Sequence, residues 1–125
     1  MTTIRDVDEI PSVEVKSTST GEIFTLARIV TEGTGISDFS IIHEELLPGR
    51  RSSSAHYHSK LDEIYYILSG SPTVVEDSVG RSVSPGSFVV FKAGERKKHF
   101  IKNESEDIVQ FIRIASCPKD DEVVY

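Results

Sequence analysis

The sequence predicts an all-β protein, a sandwich or a small antiparallel barrel, on three observations. Short runs rich in β-branched and aromatic residues alternate with clusters of Gly, Pro, Asn, Asp and Ser, as strands joined by tight turns do. No segment holds a sustained helical apolar period that would place a helix of any length. The string Ile64-Tyr65-Tyr66-Ile67-Leu68 is apolar at every position, so its strand is expected to be covered on both faces. One face would line the interior, and the other would meet a second layer or a partner subunit.

In chain order, strands are expected at 13–19 and 22–30, divided by the Thr20-Gly21 turn, and at 39–47, stopped by Pro48-Gly49. Next come 55–58 and 63–68, separated by Ser59-Lys60-Leu61-Asp62, with Ser71-Pro72 turning the chain into 73–75. A turn at Val79-Gly80 precedes 81–83, Pro85-Gly86 precedes 88–91, and Ala93-Gly94 leads toward 99–102. Asn103-Glu104 then turns the chain into 108–115. The organisation expected is an N-terminal arm (1–12), one barrel domain (13–116) and a C-terminal tail (117–125) that wraps the outside or frays.

Composition narrows the function classes. At 125 residues, 38% hydrophobic and 27% charged, the chain suits one globular domain with a real core. No run approaches the roughly 18–20 apolar residues of a membrane span. Cys117 is the only cysteine, so no internal disulfide forms. These features and the absence of a signal-peptide pattern at Met1-Thr2-Thr3-Ile4 place the expected location in the cytoplasm. A formal charge of −6 opposes nucleic-acid binding, which needs a basic footprint.

The chemistry concentrates in His56-Tyr57-His58, Glu63 and His99, which take three of the chain's four histidines. Residues at i and i+2 of a strand point the same way, so both imidazoles of His56 and His58 can reach one ion. After a four-residue break, Glu63 opens the next strand, and a tight reversal would return its carboxylate beside them.

The flanking residues extend the pattern. Gly49 is followed by six residues, the His56-Tyr57-His58 pair, four residues, Glu63, six residues and Gly70. Later, Gly86 is followed by five residues, Lys92-Ala93-Gly94, four residues, His99, three residues and Asn103. This resembles the two motifs of the cupin superfamily over 49–103. It departs in loop lengths, in Lys92 where proline is usual, and in Ser87 where Asp is common. The resemblance implies an antiparallel β-barrel or jelly roll, the double-stranded β-helix, with a mononuclear metal at its mouth. His56, His58, Glu63 and His99 would be the ligands, and pairing into a homodimer is common among such small proteins. Imidazole and carboxylate together suit one divalent transition metal per chain, Mn, Fe, Ni, Cu or Zn. Open positions on the ion would take a small molecule, so the resemblance implies dioxygenase, isomerase or lyase chemistry by bidentate coordination. A non-catalytic, metal-dependent sensor or binding module is the alternative.

Other residues have two readings. His43, within 39–47, is either an ordinary hydrogen-bonded strand histidine or a pocket acid/base, and Glu45 shares its face. Tyr65 lies two residues after Glu63 and should share its face, as core packing or as a catalytic group beside the metal. Arg113 interrupts an apolar strand, and faces either the cavity or solvent. Asn103 is expected to tie a turn through its amide. Ser52-Ser53-Ser54 lack a nucleophile elbow and read as loop. Finally, segments 50–60 and 92–98 hold Arg50, Arg51, Lys60, Lys92, Arg96, Lys97 and Lys98 against Glu95 alone. They are two solvated loops, or a positive rim drawing an anionic ligand toward the site.

Overall fold

The structure is a computed structural model and describes residues 2–125. It is all-β and antiparallel throughout, apart from a single 3-10 turn at Val7–Glu9. The strands are β1 (Val13–Lys16), β2 (Ile23–Ile29), β3 (Phe39–Leu46), β4 (Tyr57–His58), β5 (Glu63–Ser69) and β6 (Thr73–Glu76), then β7 (Val79–Ser82), β8 (Phe88–Phe91), β9 (His99–Lys102), β10 (Val109–Ser116) and β11 (Val123–Val124). Among the described residues no helix is long and apolar enough to cross a membrane.

One layer is a six-stranded sheet ordered β1-β2-β3-β10-β5-β8. The other combines a three-stranded sheet, β7-β6-β9, with the pair β11-β4, joined through the bridges Arg51↔Lys102 and His56↔His99. Strict alternation sorts the larger sheet. On β5, Glu63, Tyr65 and Ile67 are buried, while Ile64, Tyr66 and Leu68 face outward and are more exposed. The inward set joins Leu46, Phe91, Ile101, Val109 and Phe111 in one core between the layers. Fully burying each such side chain contributes about 1.5–3 kcal/mol. Gly70, with φ +86°, closes the β5 end of this core. A Cβ there would sit 2.8 Å from Val109 Cγ2, so glycine is required by both backbone and space.

One local expectation is corrected and one is narrowed. The turn expected at Val79-Gly80 lies two residues earlier, at Asp77-Ser78, which have φ of 46° and 68°. Glu76 pairs with Val79 across this two-residue loop, the left-handed hairpin geometry that matches strand twist. Asp77 stabilises it by accepting the Lys98 amide at 3.0 Å. Gly80 therefore lies within β7 instead of turning the chain. The 117–125 segment does not fray either: Val123 and Val124 pair with His58 and Tyr57, which brings the segment against the functional end of the barrel.

Candidate metal centre

Three short pieces of backbone converge at one end of the barrel. His56 and His99 form an antiparallel bridge, with His99 N–H donating to the His56 carbonyl at 2.8 Å. This sets their rings 4.8 Å apart. His58 follows on β4, its ring edge-on to His56 at 4.9 Å. Glu63 opens β5 after a loop tied at Asp62, which accepts the Ala93 amide and donates its own amide to Ser116 Oγ. Side-chain exposure is 10% or less for all four residues.

The atoms that converge are selected by what holds the opposite side of each group. Glu63 Oε2 accepts from Arg113 Nε at 2.6 Å and from the Tyr65 hydroxyl at 3.0 Å. Its other oxygen, Oε1, lies 3.1, 3.3 and 4.0 Å from Nε2 of His99, His58 and His56. His56 Nδ1 is 2.8 Å from the Ser54 carbonyl oxygen and His58 Nδ1 is 2.7 Å from Asp121 Oδ2. Both of those oxygens only accept, so both Nδ1 atoms carry a proton, and in the neutral form of each ring Nε2 is the atom with the lone pair. The His99 ring is fixed by stacking on Phe91, 3.6 Å away and 4° from parallel.

In the neutral form His56 and His58 turn Nε2 lone pairs toward the carboxylate oxygen Glu63 Oε1, an arrangement that a cation satisfies; without one, a proton on His58 Nε2 bridges to Glu63 instead. The ligand atoms of His56, His58 and Glu63 all lie within 4.8 Å of one another, and His99 Nε2 adjoins the same carboxylate oxygen. Donors sharing one ion at bonds of about 2.0–2.2 Å stand about 3–4 Å apart, close to the spacing of this set, which could hold a metal ion.

The electrostatics follow from burial and pairing. Burial pushes the Glu63 carboxyl up, but hydrogen bonds with His58 and His99 and the charge of Arg113 outweigh it, holding the group far below the usual carboxylate range. Burial pulls His56 down. It also opposes protonation of His58, but the bonds to Glu63 and Asp121 win and raise that imidazole. Burial and the adjacent Glu63 charge push the Tyr65 phenol up, so Tyr65 is a neutral donor. Asn103, on the same strand face as His99, is structural in its contacts: its Nδ2 donates to the carbonyls of Leu46 and Asp107 at 2.9 and 2.7 Å.

A cavity of about 830 Å³ opens onto this cluster, and Ser52, Ser53, Ser54, Val123 and Tyr125 form part of its wall. The structure bears on two residues or groups left with two readings. His43 does not face the cavity, because Ile42 and Glu44 line it from the opposite face of β3. His43 lies on the outer face, paired in register with Arg28 and Ile112, and Glu45 shares that face. None of the seven basic residues of 50–60 and 92–98 lines the cavity. Arg51 instead makes a two-point pair with Glu22 at 2.8 and 2.9 Å, and Lys97 approaches Glu76 at 3.8 Å. Among the described residues, the cavity's basic side chains other than histidine are Lys16 and Arg113.

Sequence reasoning missed Asp121 and Glu44. Asp121 lies 63 positions from the imidazole it holds, with no local pattern to join them. Glu44 was legible only through the facing of β3, whose two faces both mix polar and apolar residues.

Residues 42–115 match the family model for the cupin domain. Solved structures share the fold at low sequence identity. A sugar phosphate isomerase of the cupin superfamily from Silicibacter pomeroyi aligns with TM-score 0.88 and 22% identity, covering 98% of this chain and 81% of that one. A polyketide cyclase from Streptomyces resistomycificus aligns at 0.81 and 20%, covering 99% and 84%. A cupin 2 conserved barrel domain protein from Salinispora arenicola aligns at 0.73 and 18%, covering 93% and 89%. No curated protein matches the chain in sequence. The family match spans more than half of the chain and contains His56, His58, Glu63 and His99, in an antiparallel double-layered barrel: this chain belongs to the cupin family.

Proposed function

We propose that this cupin is a metal-dependent enzyme acting on a small molecule that enters the cavity and coordinates one ion per chain through oxygen atoms. The observation that carries the reading is the pinning of Glu63 Oε2 and of Nδ1 of His56 and His58, which leaves Oε1 and the Nε2 atoms turned toward one point. The ligands would be His56, His58, Glu63 and His99, and the metal Mn, Fe, Ni, Cu or Zn. When bound, the ion supplies Lewis-acid charge and, if redox-active, dioxygen chemistry. The chain's own residues do the rest. Arg113 and Tyr65 orient Glu63, Asp121 orients His58, and Phe91 fixes the plane of His99. The ion favours a ligand with an anionic coordinating end, while the cavity wall accommodates the remainder.

Elemental analysis of purified protein is the first test, followed by a screen of oxygen uptake, isomerisation and bond cleavage on small acids and sugars with stripped and reloaded protein. Stoichiometric metal retained in a His56→Ala, His58→Ala double variant would overturn the reading. One observation favours a second reading, a binding or sensor module. The Tyr65 hydroxyl is already committed to Glu63 and His43 lies outside, which removes both acid/base groups expected from sequence. A ligand that binds the reloaded protein and is always recovered unchanged would select that reading.

We also propose a homodimer formed through the outer face of the larger sheet. Ile41, Ile64, Tyr66, Ile112 and Ile114 lie there, only partly covered, beside Val90 at 64% exposure. The orphaned Nδ1 of His43 lies on the same face.

A further inference from the structure

One carboxyl group on the cavity wall belongs to no ion pair. Glu44, on the inner face of β3, sits in register between Ala27 of β2 and Phe111 of β10, and is 8% exposed. Its Oε1 accepts a hydrogen bond from Thr25 Oγ1 at 2.7 Å, in a buried contact. Its Oε2 has no protein partner. That oxygen is not sealed, because the only wholly buried side-chain polar atom lacking a partner among the described residues is His43 Nδ1. Since Glu44 lines the cavity, Oε2 opens into it. The basic side chain nearest in the strand pattern, Arg113, directs its Nε to Glu63 instead.

Burial disfavours the charged form of a carboxyl group that makes no ion pair. Burial pushes Glu44 up from the ordinary range, and the adjacent negative charge of Glu63 adds to this. The Thr25 bond and the charge of Arg113 oppose the rise without cancelling it. In the neutral form Oε1 is occupied as an acceptor from Thr25 Oγ1, so the proton belongs on Oε2. A neutral carboxyl there donates a hydrogen bond into the cavity.

We infer that Glu44 is a specificity-determining residue that donates a hydrogen bond to an uncharged oxygen, a carbonyl or hydroxyl, on the body of the ligand. The inference rests on the proposed metal-coordinating function and names the class of molecule it takes. One end of the ligand carries oxygen atoms that coordinate the ion. The body is mainly apolar, because it lies among Phe24, Ile29, Ile42, Val123 and Tyr125, and it carries one neutral acceptor facing Glu44.

The test uses zinc-loaded protein and a series of alkyl hydroxamates, whose head chelates zinc and whose chain carries or lacks a ketone at successive positions. Wild-type protein is expected to bind the best ketone probe about tenfold more tightly than its plain alkyl match, the scale of one hydrogen bond in a dry site. Glu44→Gln, which keeps a donor, should retain most of that preference. Glu44→Leu should abolish it with zinc content unchanged. Equal binding of all matched pairs to wild type, or a preference that survives in Glu44→Leu, overturns the inference while leaving the metal centre intact. Failure to load zinc, or to bind any hydroxamate when loaded, overturns the proposed function and this inference with it. Difference infrared spectra of wild type against Glu44→Gln give a check independent of the leucine variant. A protonated carboxyl band at neutral pH is expected, and an ionised band alone overturns the inference.

Discussion

Asp121 Oδ2 accepts a hydrogen bond from His58 Nδ1 at 2.7 Å, while its Oδ1 accepts the backbone amides of Lys60 and Leu61 at 2.8 and 2.9 Å. One carboxylate therefore fixes both the imidazole and the loop that follows it. Such partners set the tautomer of a metal-bound histidine and raise its basicity. Asp121→Asn, which preserves shape but not charge, is expected to weaken metal affinity by about 10–100-fold. Competition against a chromophoric chelator measures this, and unchanged affinity would assign Asp121 to the loop alone.

Removing ligands has a separable effect. His58→Ala and His99→Ala should each lose most of the metal while retaining the far-ultraviolet signature of a β protein. Mass spectrometry of the metal content, alongside circular dichroism, checks both halves of this expectation.

Arg113 holds a carboxylate that is 1% exposed in its side chain. Deleting one partner of a buried ion pair costs about 3–5 kcal/mol. The Arg113 side chain is itself 20% exposed, so Arg113→Met should fall at the lower end of that range. Metal at Glu63 Oε1 supplies positive charge in its place, so the loss should be smaller in loaded protein. Urea denaturation with and without metal tests this, and an equal loss in both forms would contradict it.

Stability should also depend on pH through Glu44. Its folded value is raised above the ordinary 4.5, so the folded state binds the proton more tightly than the unfolded state. The contribution is fully present below the ordinary value and is lost as pH rises toward the raised one. Glu44→Gln should flatten that decline in denaturant midpoints measured from acid to neutral pH. Arg113 and Glu63 stand near the group and are unchanged in the variant, which isolates the Glu44 share. A decline as steep in Glu44→Gln as in wild type would assign it to other groups.

Light scattering at micromolar concentration should give twice the chain mass of 13.9 kDa. Placing a charge on the outer face with Ile114→Lys should return the monomer mass. A wild-type monomer would contradict the dimer directly.

Local pattern made the fold and the four expected ligand residues legible. His56 and His58 share a face by alternation alone, and Glu63 and Tyr65 do so on the next strand. What stayed hidden depends on contacts distant in sequence or on which face turns inward. Phe39–Leu46 has polar residues on both faces, so His43 and Glu44 were interchangeable until the neighbouring strands fixed the direction. The basic segments cluster in sequence, yet Arg51 reaches across the barrel end to Glu22, a partner that no local spacing identifies. Asp77-Ser78 carries no glycine, and the nearby Gly80 is the stronger turn signal in sequence. There Asp77 bonds to Lys98 through both side chain and backbone, a contact distant in sequence.

The pairing of β11 with β4 gives the site a built-in linkage. Val123 and Tyr125 line the cavity, and Asp121, two residues before Val123, grips His58. Displacing this segment to widen the opening withdraws the carboxylate from the imidazole at the same moment. One stretch of nine residues, 117–125, outside both histidine motifs, thus serves at once as cavity wall and as the anchor of an imidazole.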